Sequence, residues 1–77
     1  MEPISYRVLL RKEPEGGFTA IVPSLQGCIS YGGTIDEAIE MVREAIVGYI
    51  ESLEAHGEEI PTEKDVLEYT VLVKAHA

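Results

Sequence analysis

Apolar residues recur along this chain first at every second position and then at every third or fourth, and the change falls at Gly32-Gly33-Thr34. A period of two marks a half-buried strand and a period near 3.6 an amphipathic helix. Ile4, Tyr6, Val8 and Leu10 alternate with Ser5, Arg7, Leu9 and Arg11, which predicts a first strand with one apolar and one mixed face. Lys12 to Gly17 holds the proline and glycines of a chain reversal, and Phe18, Ala20 and Val22 then resume the alternation, completing a hairpin. Pro23 has no N–H to give to a ladder and ends the second strand. After Ser24 to Gly27, the segment Cys28 to Tyr31 predicts a short third strand.

Gly32-Gly33 is expected to supply positive φ angles for a tight turn. Thr34, followed three residues later by Glu37, forms a capping-box pattern that starts a helix at about Ile35. On a helical wheel Ile35, Ala38, Ile39, Val42, Ala45, Ile46, Tyr49, Ile50 and Leu53 fall in one stripe. Asp36, Glu37, Glu40, Glu44, Glu51 and Glu54 gather on the opposite side, with Val47 among them. His56 suits the negative end of the helix dipole, and Gly57 is a good residue just past the end. Val66 to Lys74, with Tyr69, Val71 and Val73 alternating against Thr70, Leu72 and Lys74, predicts a fourth strand.

The expected fold is therefore α+β, in the order β-β-β-α-β, with an antiparallel-rich sheet and one helix on one face. Residues 1 to 77 read as a single domain without repeat or linker. One helix covers one face of a sheet, so the other face is left presenting Leu9, Ile21 and Ile29 or their alternates, depending on register. A homo-oligomer, a dimer or larger, is expected from that surplus.

Composition narrows the function. With 77 residues, 45% of them hydrophobic, the chain supports one core without a deep catalytic cavity. The net charge of −8 is unevenly spread: residues 1 to 35 carry three acidic and three basic side chains, residues 36 to 68 eleven acidic against two basic. Such a surface repels phosphate backbones and favours basic partners, so direct nucleic-acid binding is not expected. No run of about 18 apolar residues and no signal-peptide pattern is present, so no membrane association is expected. A lone cysteine, Cys28, forms no internal disulfide and fits a reducing, cytoplasmic compartment.

Candidate chemistry is sparse. Cys28 has neither histidine near it in sequence, and reads as a packed thiol rather than a nucleophile. His56 and His76, with Glu58 and Glu59, lack compact metal-ligand spacing. The glycines before Thr34 lack the lysine of a phosphate loop, and Asp36 and Glu37 repel an anion there. The carboxylates lie on the outer helix face or in the exit loop, not on strands that converge in a cleft. No catalytic residue, metal ligand or cofactor is therefore expected. Gly48, beside Val47, costs the helix about 0.8 to 1.0 kcal/mol relative to Ala.

Four segments, Phe18-Thr19-Ala20-Ile21-Val22-Pro23, Gly27-Cys28, Gly32-Gly33-Thr34-Ile35-Asp36-Glu37-Ala38 and Gly57-Glu58-Glu59-Ile60-Pro61, together resemble the HicB-like antitoxin family. The resemblance implies a truncated ribonuclease-H-like fold without nuclease chemistry. It also implies a partner, a small basic ribonuclease toxin of the HicA type, neutralised by occlusion and charge complementarity. The partner-binding residues expected on that basis are Glu37, Glu40, Glu44, Val47 and Glu51. Where the family often has aspartates, this chain has Ser24 and Gly33, so no role of those aspartates carries over. Many members continue into a helix-turn-helix or ribbon-helix-helix domain; the sequence stops at Ala77, and direct DNA-binding autorepression does not carry over either. The competing expectation is an orphan self-associating domain with a regulatory or small-ligand role.

Overall fold

A computed structural model describes residues 3–76. Three strands, β1 (Leu9–Lys12), β2 (Phe18–Ile21) and β3 (Ile29–Gly32), precede one helix, α1 (Ile35–Ala55). The strands form one antiparallel sheet in the order β1-β2-β3. Leu9 pairs with Ile21 and Ile21 with Ile29, so these three form a cross-strand row. Leu9 and Ile29 in that row are exposed, so the register selects this set over its alternates.

The hairpin turns where the proline and glycines place it. The Glu13 amide donates to the Gly17 carbonyl at 3.0 Å, and Gly16 and Gly17 take positive φ. Past β2, Val22 and Cys28 close a tight loop, with the Val22 amide donating to the Cys28 carbonyl and the Cys28 amide to that of Leu25. This loop folds Leu25 inward, and Leu25, Val22 and Val42 are the largest fully buried side chains among the described residues. Burying each contributes roughly 1.5 to 3 kcal/mol. Ala20, Cys28 and Ala38 complete the core, and Phe18, Val8 and Tyr49 pack around it.

α1 begins and ends as its sequence predicts. The Thr34 hydroxyl accepts from the Glu37 amide at 3.1 Å, while the Glu37 carboxylate accepts from the Gly33 amide at 3.3 Å. At the other end the amide of Gly57 (φ +65) donates to the Glu54 carbonyl and that of Glu58 to the Leu53 carbonyl, the paired bonds of a Schellman ending. Ala38 and Val42 are buried, with Ile39, Ala45, Ile46, Tyr49, Ile50 and Leu53 half-buried. Ile35, at the entry, stays exposed.

Three expectations need correction. Neither Gly32 nor Gly33 takes a positive φ; a Cβ on Gly32 would instead overlap the backbone nitrogen of Ala38, so this glycine lets the helix lie directly on β3. The first strand starts at Leu9 rather than Ile4, because β2 gives way to the Val22–Cys28 turn and Pro23 and leaves residues 4 to 8 without a ladder partner. The fourth strand is not formed: residues 66–74 adopt no strand, since alternation shows that a segment suits a ladder without supplying an edge to pair with.

The Gly32 contact yields a direct test. Gly32→Ala should lower stability by about 1 to 3 kcal/mol, since backbone rather than a flexible side chain must yield. Gly33→Ala, whose Cβ would meet only the Glu37 carboxylate at 3.5 Å, should cost less than about 1 kcal/mol. Urea midpoints of the two variants, at unchanged m, check the contrast.

Candidate partner-binding site

The outer face of α1 is a stripe of carboxylates. Glu37, Glu40, Glu44 and Glu51 are all exposed. Among the described residues Glu40, Glu44 and Glu51 enter no ion pair, so their charge is uncompensated locally. Val47 is 52% exposed and lies at the border of this stripe. The structure thus places Glu37, Glu40, Glu44, Val47 and Glu51 on one continuous helix surface.

Beside that stripe lies a feature that the sequence reading missed. A groove of about 740 Å³ runs between the N-terminal segment and α1. Ile4, Tyr6 and Val8 form one wall, Ile39, Ile46, Val47 and Ile50 the other, with Ile60 contributing from beyond the helix. Arg43 and Glu54 bring the polar atoms of two charged side chains to it. Val47 belongs to both surfaces and joins the acidic stripe to apolar ground. The available signal was the width of the helix stripe, which exceeds what the strands beneath it can cover.

A polar knot fixes the N-terminal wall. The Glu63 carboxylate accepts from the Arg7 amide at 2.7 Å and from the Ser24 hydroxyl at 2.5 Å, and its side chain is only 10% exposed. The Ser24 hydrogen bond, with help from Arg7, holds the Glu63 carboxyl below its ordinary pKa against the opposing effect of burial. The Tyr6 hydroxyl donates to the Pro61 carbonyl; burial, reinforced by the Glu63 charge, pushes its pKa up, so it stays a donor. The Arg7 guanidinium lies 3.7 Å from Glu63 and 3.2 Å from Glu68. On the other side of the core the Tyr49 hydroxyl donates to the Gln26 carbonyl at 3.0 Å and ties α1 to the Val22–Cys28 loop.

The remaining candidates are dispersed. Cys28 is buried, and burial raises its thiol pKa, the reverse of what a nucleophile needs. The His56 ring is engaged with the Ser52 carbonyl at 2.7 Å at the helix end. Among the described residues no three histidine, cysteine or acidic side chains are grouped to hold a metal ion. No helix among the described residues is long and apolar enough to cross a membrane. The surface sets exposed carboxylates next to an apolar slot.

The profile of the HicB_like antitoxin of bacterial toxin-antitoxin systems matches residues 6–74. The chain belongs to the HicB-like antitoxin family. A crystal structure of the antitoxin HicB from Burkholderia pseudomallei superposes with a TM-score of 0.66 at 34% identity, over 88% of this chain and 46% of that one. The shared fold therefore corresponds to about half of that protein. A UPF0150 protein of Synechocystis sp. is 51% identical over 59 residues, 77% of this chain and 75% of its own length. Another, from Thermoplasma acidophilum, is 43% identical over 58 residues, 75% of this chain and 84% of its own.

The knot makes stability pH-dependent in a defined direction. Because the folded state lowers the Glu63 pKa from its ordinary 4.5, the stabilisation is fully present above that ordinary value and is lost as pH falls through the lowered one. Glu63→Gln should flatten the acid limb of a stability–pH curve measured by denaturant unfolding. A residual slope should persist, since hydrogen bonds from Thr19 and Arg11 lower the Glu13 pKa as well.

Proposed function

We propose that this domain binds a small basic ribonuclease toxin of the HicA type and silences it by occlusion, without turnover, in the cytoplasm. The observation that carries this reading is the adjacency of an uncompensated acidic stripe to an apolar groove, in a chain of the HicB-like antitoxin family. A protein that grips RNA displays lysines and arginines for phosphates, and Glu37, Glu40, Glu44 and Glu51 offer carboxylates in their place. Exposed ion pairs contribute only about 0 to 1 kcal/mol each. Tight inhibition thus requires apolar burial as well, and Val47 with Ile46 and Ile50 of the groove wall supplies the ground for it. The charges set the encounter rate and the groove sets the lifetime of the complex.

The test separates these two contributions. Reversing Glu40, Glu44 and Glu51 to lysine should leave the helical circular dichroism intact, slow association with a HicA-type toxin by about 10-fold or more at low salt, and reduce the salt dependence of the rate. Val47→Asp should act mainly on dissociation. An unchanged rate and salt response in the triple variant would place the interface elsewhere. The same preparations, incubated with RNA and magnesium or manganese, should cleave nothing; cleavage abolished by Glu40→Gln would overturn the non-enzymatic reading.

A further inference from the structure

The C-terminal segment is built like a strand and left without a ladder. Leu67 is 93% and Leu72 98% exposed. Among the described residues no backbone hydrogen bond ties residues 67–76 to the rest of the chain, the last being that of the Val66 amide to the Glu63 carbonyl. The molecule is extended as a result. Its radius of gyration is 15.0 Å, against about 11.5 Å for a compact chain of this length. Its accessible surface is 6505 Å², against about 4,650 Å² for a compact monomer of this mass. The excess exceeds the roughly 800 Å² that each partner buries in a standard interface.

The sheet has a matching vacancy. β1 pairs with β2 alone, so its other edge is open. All four of its residues are exposed, because α1 packs over β3 and β2 and leaves β1 outside its cover. Leu9 and Leu10 point to opposite faces of this edge, and Tyr69, Val71 and Leu72 offer apolar side chains to both faces in the same way. An exposed edge of this kind is a template for another strand. Of the cations on or before it, Arg7 pairs with Glu63 and Glu68 and Arg11 with Glu13, so the edge carries little net charge and suits a nearly neutral strand. The segment itself is nearly neutral between Val66 and Lys74, and it leaves the body beside that same edge, where Glu63 and Glu68 meet Arg7.

We propose that residues 66–74 of one copy add to the open β1 edge of a second copy, reciprocally, so that two chains exchange C-terminal strands in a closed dimer. Reciprocity fills both edges at once and stops growth at two. This assembly uses the β1 edge and not the acidic stripe of α1.

Light scattering on the full chain, with no toxin present, should give twice the 8.5 kDa chain mass at micromolar concentration. Val71→Pro removes an amide and a strand conformation in a segment outside the core, and should weaken the dimer at least about 10-fold while keeping the helical signal; Val71→Thr, which suits a strand, should not. Isotope-filtered NOEs in a mixture of labelled and unlabelled protein should connect Leu9 to Lys12 of one copy with Val66 to Lys74 of the other. A monomeric mass overturns the proposal, as do contacts between β1 and this segment found only within one chain. So does a dimer whose mass withstands Val71→Pro and that shows no such contacts between copies. Should Val71→Pro fail to fold, the filtered NOEs of the unsubstituted protein decide.

Discussion

The backbone of Ala38 rests against Gly32, where no Cβ intervenes, and this close approach sets how α1 lies on the sheet. A helix pinned at its first turn to the last strand runs over β3 and β2 and reaches no further. Two surfaces follow from that one constraint. Toward the N-terminal segment, Ile39, Ile46 and Ile50 overhang the sheet and become a groove wall instead of core. Beyond them β1 is left bare on both faces. The core itself stays small, so the Val22–Cys28 loop contributes Leu25 to fill it, and Tyr49 satisfies the Gln26 carbonyl of that loop.

The second organising element is the carboxylate of Glu63. It draws together the Arg7 amide, the Ser24 hydroxyl and the Arg7 guanidinium, and so joins the N-terminal segment, the post-β2 loop and the chain beyond the helix. None of these has a ladder or helix to hold it. Ser24 is informative here, because it stands where the family often has an aspartate. A second carboxylate at that point would face Glu63 at hydrogen-bonding distance, and like charges so close disfavour each other. In this chain the serine hydroxyl donates instead, and the knot fixes the wall that carries Tyr6 and Val8.

The sequence made the local elements legible and left their partners hidden. α1 was readable to within a residue at both ends, because Thr34, Glu37 and Gly57 act through bonds to their near neighbours. The open-face row of Leu9, Ile21 and Ile29 was readable only as one of two alternates, since alternation groups residues by face and the register of the strands decides which are paired. The fourth strand was not, because pairing belongs to two segments and the alternation of Val66 to Lys74 describes one. The role of Gly32 was misread as backbone freedom when it is space for the helix, a fact of tertiary packing that no local pattern encodes. The acidic residues of the candidate site were legible as a stripe. The groove was not, since it exists only where residues 4 to 8 fail to join a ladder.

Charge is partitioned to match this geometry. The cations Arg7, Arg11 and Lys12 lie on or before β1, while the helix presents Glu37, Glu40, Glu44 and Glu51 outward. Among the described residues the carboxylates of the helix stripe enter no ion pair, whereas Arg7 and Arg11 are paired with Glu63, Glu68 and Glu13. The field that would draw a basic partner of the proposed kind therefore lies on the helix and not on the strand edge. The edge in turn offers unpaired backbone groups and apolar side chains, the complement of a nearly neutral strand of the kind proposed above. One small domain can thus carry two interfaces of different chemistry, because a single helix covers too little of the sheet to make either of them part of the core.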